Sequence, residues 1–137
     1  MIWIGIDPGE HTGFAVWDGR RFIEVATYKL HEAFDRVQFY REQGTVAVVF
    51  EDARLRRWFA PERNASEYRG KLMGAGAAKR DAKIWEEYLS DIGVPYGAHK
   101  PQAGGTKWSA ERFAAVTGWT KRTNEHSRDA ALLVYGR

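Results

Sequence analysis

Two acidic side chains stand where long apolar segments of the sequence end. Asp7 follows residues 2–6 (IWIGI), and Glu51 follows residues 46–50 (VAVVF). Continuous apolar runs of this length are typical of central strands that are covered on both faces. Because Asp7 opens an Asp-Pro-Gly sequence, ordinary turn chemistry is an alternative explanation for this acid. Glu51 has an alternative explanation too, as an ion-pair partner of Arg54.

A second pair of polar residues lies near the C-terminus, in the sequence NEHSRDAALLV. His126 and Asp129 are three residues apart, so on a helix capped by Thr123 or Asn124 they share one face. Three carboxylates and one imidazole are suitable ligands for Mg²⁺ or Mn²⁺. Alternatively, His126 and Asp129 are only polar residues at the favourable end of the helix dipole. The joint arrangement with the two strand-end acids favours a cation site over these separate explanations.

The fold that must position these residues is predicted from hydrophobic periodicity, in the order β-β-β-α-β-α-β-α-α. The predicted strands are residues 2–6, 14–17, 22–28, 46–50 and 94–99. The predicted helices are one ending at Gly44, a long one over 66–92, one capped by Thr106, and the terminal one. We therefore predict an α/β fold with a five-stranded mixed sheet flanked by helices.

The first and fourth strands are joined by a helical crossover, so as neighbours they would be parallel. Neighbouring strands lie about 4.8 Å apart. Asp7 and Glu51 would then stand side by side at the C-terminal edge of the sheet, where open α/β sheets bind ligands. Two metal ions about 3.5–4 Å apart at such a site can activate water and stabilise the leaving oxygen of a phosphodiester.

The composition limits the kinds of protein this can be. The 137 residues suffice for a single domain, over 1–137, with a hydrophobic core. The absence of cysteine excludes disulfides, thiolate zinc sites and cysteine nucleophiles. We expect a cytoplasmic protein, since no signal sequence and no apolar stretch of roughly 20 residues is present. Nine Lys or Arg but four Asp or Glu lie between residues 52 and 83, which indicates an anionic partner such as nucleic acid, or else a solvated helix face.

The sequence resembles the RuvC family of Holliday junction resolvases, of the RNase H-like superfamily. The resemblance rests on GIDPG-x-x-TG at residues 5–13, on Glu51 after the fourth strand, and on HSRDA at residues 126–130. It implies an RNase H-like fold and two Mg²⁺ ions, which Mn²⁺ can replace. It also implies a homodimer, of a bacterial cell or its phage, that resolves four-way DNA junctions by symmetric nicks in recombination and repair. The implied catalytic and metal-binding residues are Asp7, Glu51, His126 and Asp129.

The predicted DNA contacts lie in two segments and on the long helix. The loop at residues 54–64 (RLRRWFAPERN) combines arginines with two aromatic rings, which stack on bases or alternatively fold onto the core. The segment at residues 100–116 (KPQAGGTKWSAERFAAV) resembles the family region where basic residues meet DNA phosphate. The predicted DNA-binding residues are Arg54, Arg56, Arg57, Trp58, Phe59, Lys79, Arg80, Lys100 and Lys107.

The long helix over 66–92 is the expected homodimer contact. Its small residues either admit a second copy of the helix or pack against the protein's own sheet. They are Gly70, Gly74, Gly76, Ala77 and Ala78.

The sequence departs from the family in two respects. The chain is short, and Glu10 and His11 inside the first motif have no counterpart. These differences concern specificity more than chemistry. The alternatives are a less selective nuclease for flaps, forks or RNA–DNA hybrids, and a structure-selective DNA-binding protein with weak catalysis.

Overall fold

The computed structural model describes residues 1–55, 65–101 and 107–137. Within these ranges the chain forms five strands and four α-helices, with a short 3-10 helix at Ala53–Leu55. The strands are β1 (Ile2–Asp7), β2 (Thr12–Trp17), β3 (Phe22–Tyr28), β4 (Val46–Glu51) and β5 (Tyr96–His99). The helices are α1 (Leu30–Gln43), α2 (Ala65–Asp91), α3 (Ala110–Thr117) and α4 (Glu125–Val134).

All five strands belong to one mixed sheet, in the order β3-β2-β1-β4-β5. The first three strands form an antiparallel meander. The central strand β1 is parallel to β4, and β4 is parallel to β5. The predicted α/β fold with a five-stranded mixed sheet is therefore confirmed, and the arrangement is consistent with an RNase H-like fold.

The central strands are buried because helices cover both faces of the sheet. On one face, Ile4 and Ile6 of β1 pack in a cluster with Trp85 of α2 and with residues of α1. On the other face, Val49 of β4 belongs to a cluster with Val134 of α4 and with a residue of α3. This burial on both faces explains why the sequences of β1 and β4 are continuous apolar runs. None of the described helices combines the length and the apolar character needed to cross a membrane.

The helix caps agree with the sequence prediction at α4 and differ from it at α3. Asn124 caps α4, since its Oδ1 accepts a hydrogen bond of 2.9 Å from the Ser127 amide. The prediction that Thr106 caps α3 was wrong, because the N-cap is Ser109, whose Oγ accepts from the Arg112 amide at 3.1 Å. Both residues have short hydroxyl side chains that are favoured at N-cap positions, so the sequence offered two candidates for this cap.

The outer strand β5 is short and lies open to solvent. All four of its residues are exposed, and Pro95 and Pro101 flank it in the sequence. It continues the sheet beside β4, and the Asp52 amide beyond β4 donates a hydrogen bond of 2.8 Å to the carbonyl oxygen of His99.

Helix α4 lies directly on the backbone of β1 and β2 at two glycines. A Cβ atom at Gly5 would stand 2.0 Å from the carbonyl oxygen of Ala130, and a Cβ atom at Gly13 would stand 2.0 Å from that of His126. No side chain fits at such a separation, so the two glycines set the distance between α4 and the sheet.

We predict that Gly13→Ala destabilises the protein by at least about 2 kcal/mol, since the helix must be pushed off the sheet to admit the methyl group. Urea denaturation measures the change. Gly44→Ala is the matched control, because a Cβ atom there would meet no described atom within 4 Å. Equal stability of the two variants would contradict the close contact of α4 with β2.

Candidate active site

Asp7 and Glu51 are the last residues of two parallel neighbouring strands. The register of β1 and β4 pairs Ile6 with Phe50, and each acid is the next residue along its strand. The structure therefore brings the two predicted acids to the same edge of the sheet, as the crossover rule requires. Both side chains are partly buried there.

His126 lies beside Asp7 because α4 begins over Gly13. Its Nδ1 donates a hydrogen bond to Asp7 Oδ2 at 3.3 Å. The Asp7 side chain is 14% exposed, whereas that of His126 is 49% exposed, so the imidazole stands on the solvent side of the pair. This contact between residues 119 positions apart in the sequence confirms that α4 faces the acids of the sheet.

Lys107 joins the site through Asp129, one turn further along α4. Its ammonium group lies 3.3 Å from Asp129 Oδ2 and also bonds with the carboxylate of Glu125. These partners raise the pKa of Lys107, with the hydrogen bond that it donates to Glu125 as the largest cause. Lys107 was predicted from the sequence as a DNA contact. Its position places one positive charge at the acidic cluster.

The ionised forms of Asp7 and Glu51 are destabilised by their surroundings at the sheet edge. Burial raises the pKa of Asp7 to about 6, and the nearby charge of Asp129 adds to the increase. The hydrogen bond from His126 opposes it. Burial likewise raises the pKa of Glu51 to about 7, with further contributions from Asp7 and Asp129. Three carboxylates thus act on one another, and a bound cation would relieve their repulsion.

The donor set fits Mg²⁺ in its chemistry, since carboxylate oxygens are the preferred ligands of this ion. Within the described ranges, no group of three or more His, Asp or Glu side chains already has the geometry of a metal site. Asp7 bonds with His126, and Asp129 bonds with Lys107. Binding of an ion by Asp129 would therefore break its bond with Lys107, whereas Asp7 could ligate through Oδ1 and keep its bond with His126 through Oδ2.

Arg54, predicted as a DNA contact, takes part in an ion-pair network. Its Nη2 lies 2.8 Å from Asp52 Oδ2 and 2.8 Å from Glu86 Oε2. This network connects the end of β4 to α2, and the guanidinium holds the pKa of Asp52 below its ordinary value. The alternative that Arg54 pairs with Glu51 is therefore not what the structure shows.

The remaining predicted DNA contacts differ in how the structure places them. Lys79 and Arg80 are exposed on α2, and Lys100 is exposed directly after β5. Four more lie outside the described residues, namely Arg56, Arg57, Trp58 and Phe59.

Sequence reasoning missed His99, which stands beside Glu51. The two residues are register partners in the parallel pair β4 and β5. The Nδ1 atom of His99 donates to the carbonyl oxygen of Lys100 at 2.7 Å, which leaves Nε2 as the nitrogen without a proton in the neutral ring. The strand-end position of His99 was a usable signal, since the same logic identified Asp7 and Glu51.

These residues border an open cavity of about 330 Å³. At one end its walls are formed by Glu51, His99, Lys107 and Asp129. The other end is formed by residues of the last turn of α4 and the residues after it, up to Arg137. The acids therefore open onto a groove rather than onto a flat surface.

Comparison with known proteins adds no family assignment. No family model matches the chain, and no curated protein matches it.

We predict that Glu51→Gln stabilises the folded protein at about pH 8. The folded-state pKa of Glu51 is raised, so its ionisation destabilises the fold above about pH 7, and this effect disappears below its ordinary value of 4.5. We expect a gain of about 1 kcal/mol, because partial exposure screens part of the interaction.

Thermal unfolding at about pH 8 and pH 4 measures this difference, which should be present only at the higher pH. Glu42→Gln, an exposed change on α1, is the control and should leave the stability unchanged at both values. A Glu51→Gln variant less stable than the wild type at pH 8 would show that this carboxylate is not repelled by its neighbours.

Proposed function

We propose that the protein is a metal-dependent endonuclease that cuts the phosphodiester bonds of branched DNA, with four-way junctions as the substrate. The observation that carries the proposal is the juxtaposition of Asp7 and Glu51 at one edge of the sheet, with α4 placing His126 and Asp129 beside them. The resemblance to the RuvC family supports the choice of substrate.

Asp7, Glu51, His126 and Asp129 would hold the ions. Bound Mg²⁺ would supply the activation of water and the neutralisation of charge on the phosphate. Asp7 binds the Nδ1–H of His126 and so fixes the ring, which leaves Nε2 to ligate or to accept a proton. Lys107 provides a positive charge for the phosphate once Asp129 releases it.

We expect Asp7→Asn to abolish cleavage while junction binding is retained. The amide keeps the shape of the side chain but loses the negative charge that an ion requires, so the rate should fall by at least about a thousandfold, or roughly 4 kcal/mol. Strand-resolved nicking of a synthetic four-way junction measures the rate, and binding is measured with Ca²⁺ in place of Mg²⁺.

Glu10→Gln is the matched control, since Glu10 is an exposed acid in the turn after β1. Cleavage by Asp7→Asn at the wild-type rate would refute the assignment of the site. Tight Mg²⁺-dependent junction binding without turnover in the wild type would favour a structure-selective binding protein instead.

The proposed homodimer contact is the N-terminal half of α2. Leu72 and Met73 are exposed there, Met73 at 76%. A Cβ atom at Gly70, Gly74 or Gly76 would meet no described atom within 4 Å, so these glycines do not pack against the described part of the sheet. A two-fold junction needs two active sites related by a two-fold axis, which a dimer through this helix would supply.

We predict that Met73→Glu converts a dimer into a monomer in light scattering and abolishes paired, symmetric nicks in the junction. Single nicks should persist, because the active site lies at the sheet edge and not on this part of α2. Ile23→Glu, a comparable change on the exposed side of β3, is the control. If the wild type cuts flaps or RNA–DNA hybrids as well as junctions, the less selective nuclease is the correct function.

A further inference from the structure

The groove that starts at Glu51 and Asp129 continues along α4 towards the end of the sheet where β1 begins. Its far end is formed by Arg137, whose guanidinium lies 5.2 Å from the centre of the Trp3 ring. Trp3 pairs with Ala47 near the start of β4 and Glu51 ends that strand, so the two ends of the groove are separated by about 13 Å. One continuous surface therefore connects the acidic cluster to a distant cation.

A second groove meets the first at His99 and Arg137. It has a volume of about 290 Å³ and is bordered by Trp3, Val49 and Gly97, among other residues of β1, β4 and β5. Its lining is mostly apolar, and its floor includes part of the sheet face that α4 leaves uncovered. The apolar floor formed by β4 and β5 provides a surface on which a planar base can lie.

Arg137 is held in place by two contacts of its side chain. Its Nε donates to the carbonyl oxygen of Leu133 at 3.3 Å, and its guanidinium is held against Trp3. In the described part of the chain, the side chain has no acidic partner. A fixed guanidinium at the end of a groove is a typical recognition site for a phosphate group.

We propose that this groove binds an unpaired stretch of the cut DNA strand, with Arg137 contacting a phosphate within about four nucleotides of the cleaved bond. The inference rests on the proposed nuclease function and adds a binding site to it. The apolar lining favours a single strand, because only unpaired bases can contact it, whereas a duplex presents mainly phosphates to a protein surface. A phosphate on Arg137 and a base on the apolar floor formed by β4 and β5 would direct the strand away from the acids.

A structural role is the competing explanation for Arg137. The carbonyl oxygen of this residue accepts a hydrogen bond of 3.1 Å from the indole of Trp17, and its side chain packs on Trp3. The backbone bond survives any substitution at this position, so a change of the side chain alone separates DNA binding from folding.

The test compares Arg137→Ala with Arg41→Ala, which removes the same charge from an exposed position on α1, across the sheet from the groove. Binding of a four-way junction with a short unpaired segment is measured in Ca²⁺ at several salt concentrations. We expect Arg137→Ala to weaken binding about three- to tenfold. It should also reduce by about 1 the slope of the logarithm of the binding constant against the logarithm of the salt concentration. Arg137→Lys should restore the slope.

A scan of single methylphosphonates along the cut strand then locates the contact. One substitution should weaken binding by the wild type and leave binding by Arg137→Ala unchanged, since the same contact is already lost. If Arg137→Ala behaves like Arg41→Ala while the wild type still cuts DNA, the groove is not a strand-binding site. If the wild type neither binds nor cuts DNA, the proposed function fails and this inference fails with it.

Discussion

The site depends on the direct contact between α4 and the backbone of the sheet. Gly5 and Gly13 allow the carbonyl oxygens of Ala130 and His126 to approach closer than any side chain permits. This contact places an imidazole within 3.3 Å of a carboxylate that belongs to the opposite end of the sequence. A helix held one side chain further away could bury the same apolar residues, but it could not join its polar face to Asp7.

The close contact of α4 with the sheet also explains why Asp7 and Glu51 destabilise the folded protein when they are ionised. Asp7 and Glu51 lose water by burial, and Asp129 adds a third negative charge. Lys107 and His126 compensate only in part. Carboxyl groups with perturbed pKa values cluster at functional sites, and this is the electrostatic reason for placing the proposed cation site here.

The sequence predicted the features that follow from local pattern and topology. Asp7 and Glu51 could be placed together because continuous apolar runs predict central strands, and a helical crossover predicts that they are parallel. The cap of α4 could be narrowed to Thr123 or Asn124 because both precede a helical pattern, and the structure assigns it to Asn124.

Contacts between side chains that are distant in the sequence were not predictable in this way. The bonds of Lys107 with Asp129, and of Arg54 with Glu86, depend on where two elements meet in space. His99 was overlooked although the strand that it ends was predicted, because only the acids at strand ends were considered as site residues. The cap of α3 was misplaced because two hydroxyl residues precede that helix and only the backbone decides between them.

The exposed outer strand β5 also bears on solubility. An open strand edge offers unpaired backbone groups to any other extended chain, and such edges are common starting points of aggregation. Here the strand is four residues long and lies between Pro95 and Pro101, and proline cannot donate to a growing ladder. Lys100 adds a charge at the same end. The edge next to the groove can therefore remain uncovered without recruiting a neighbouring sheet.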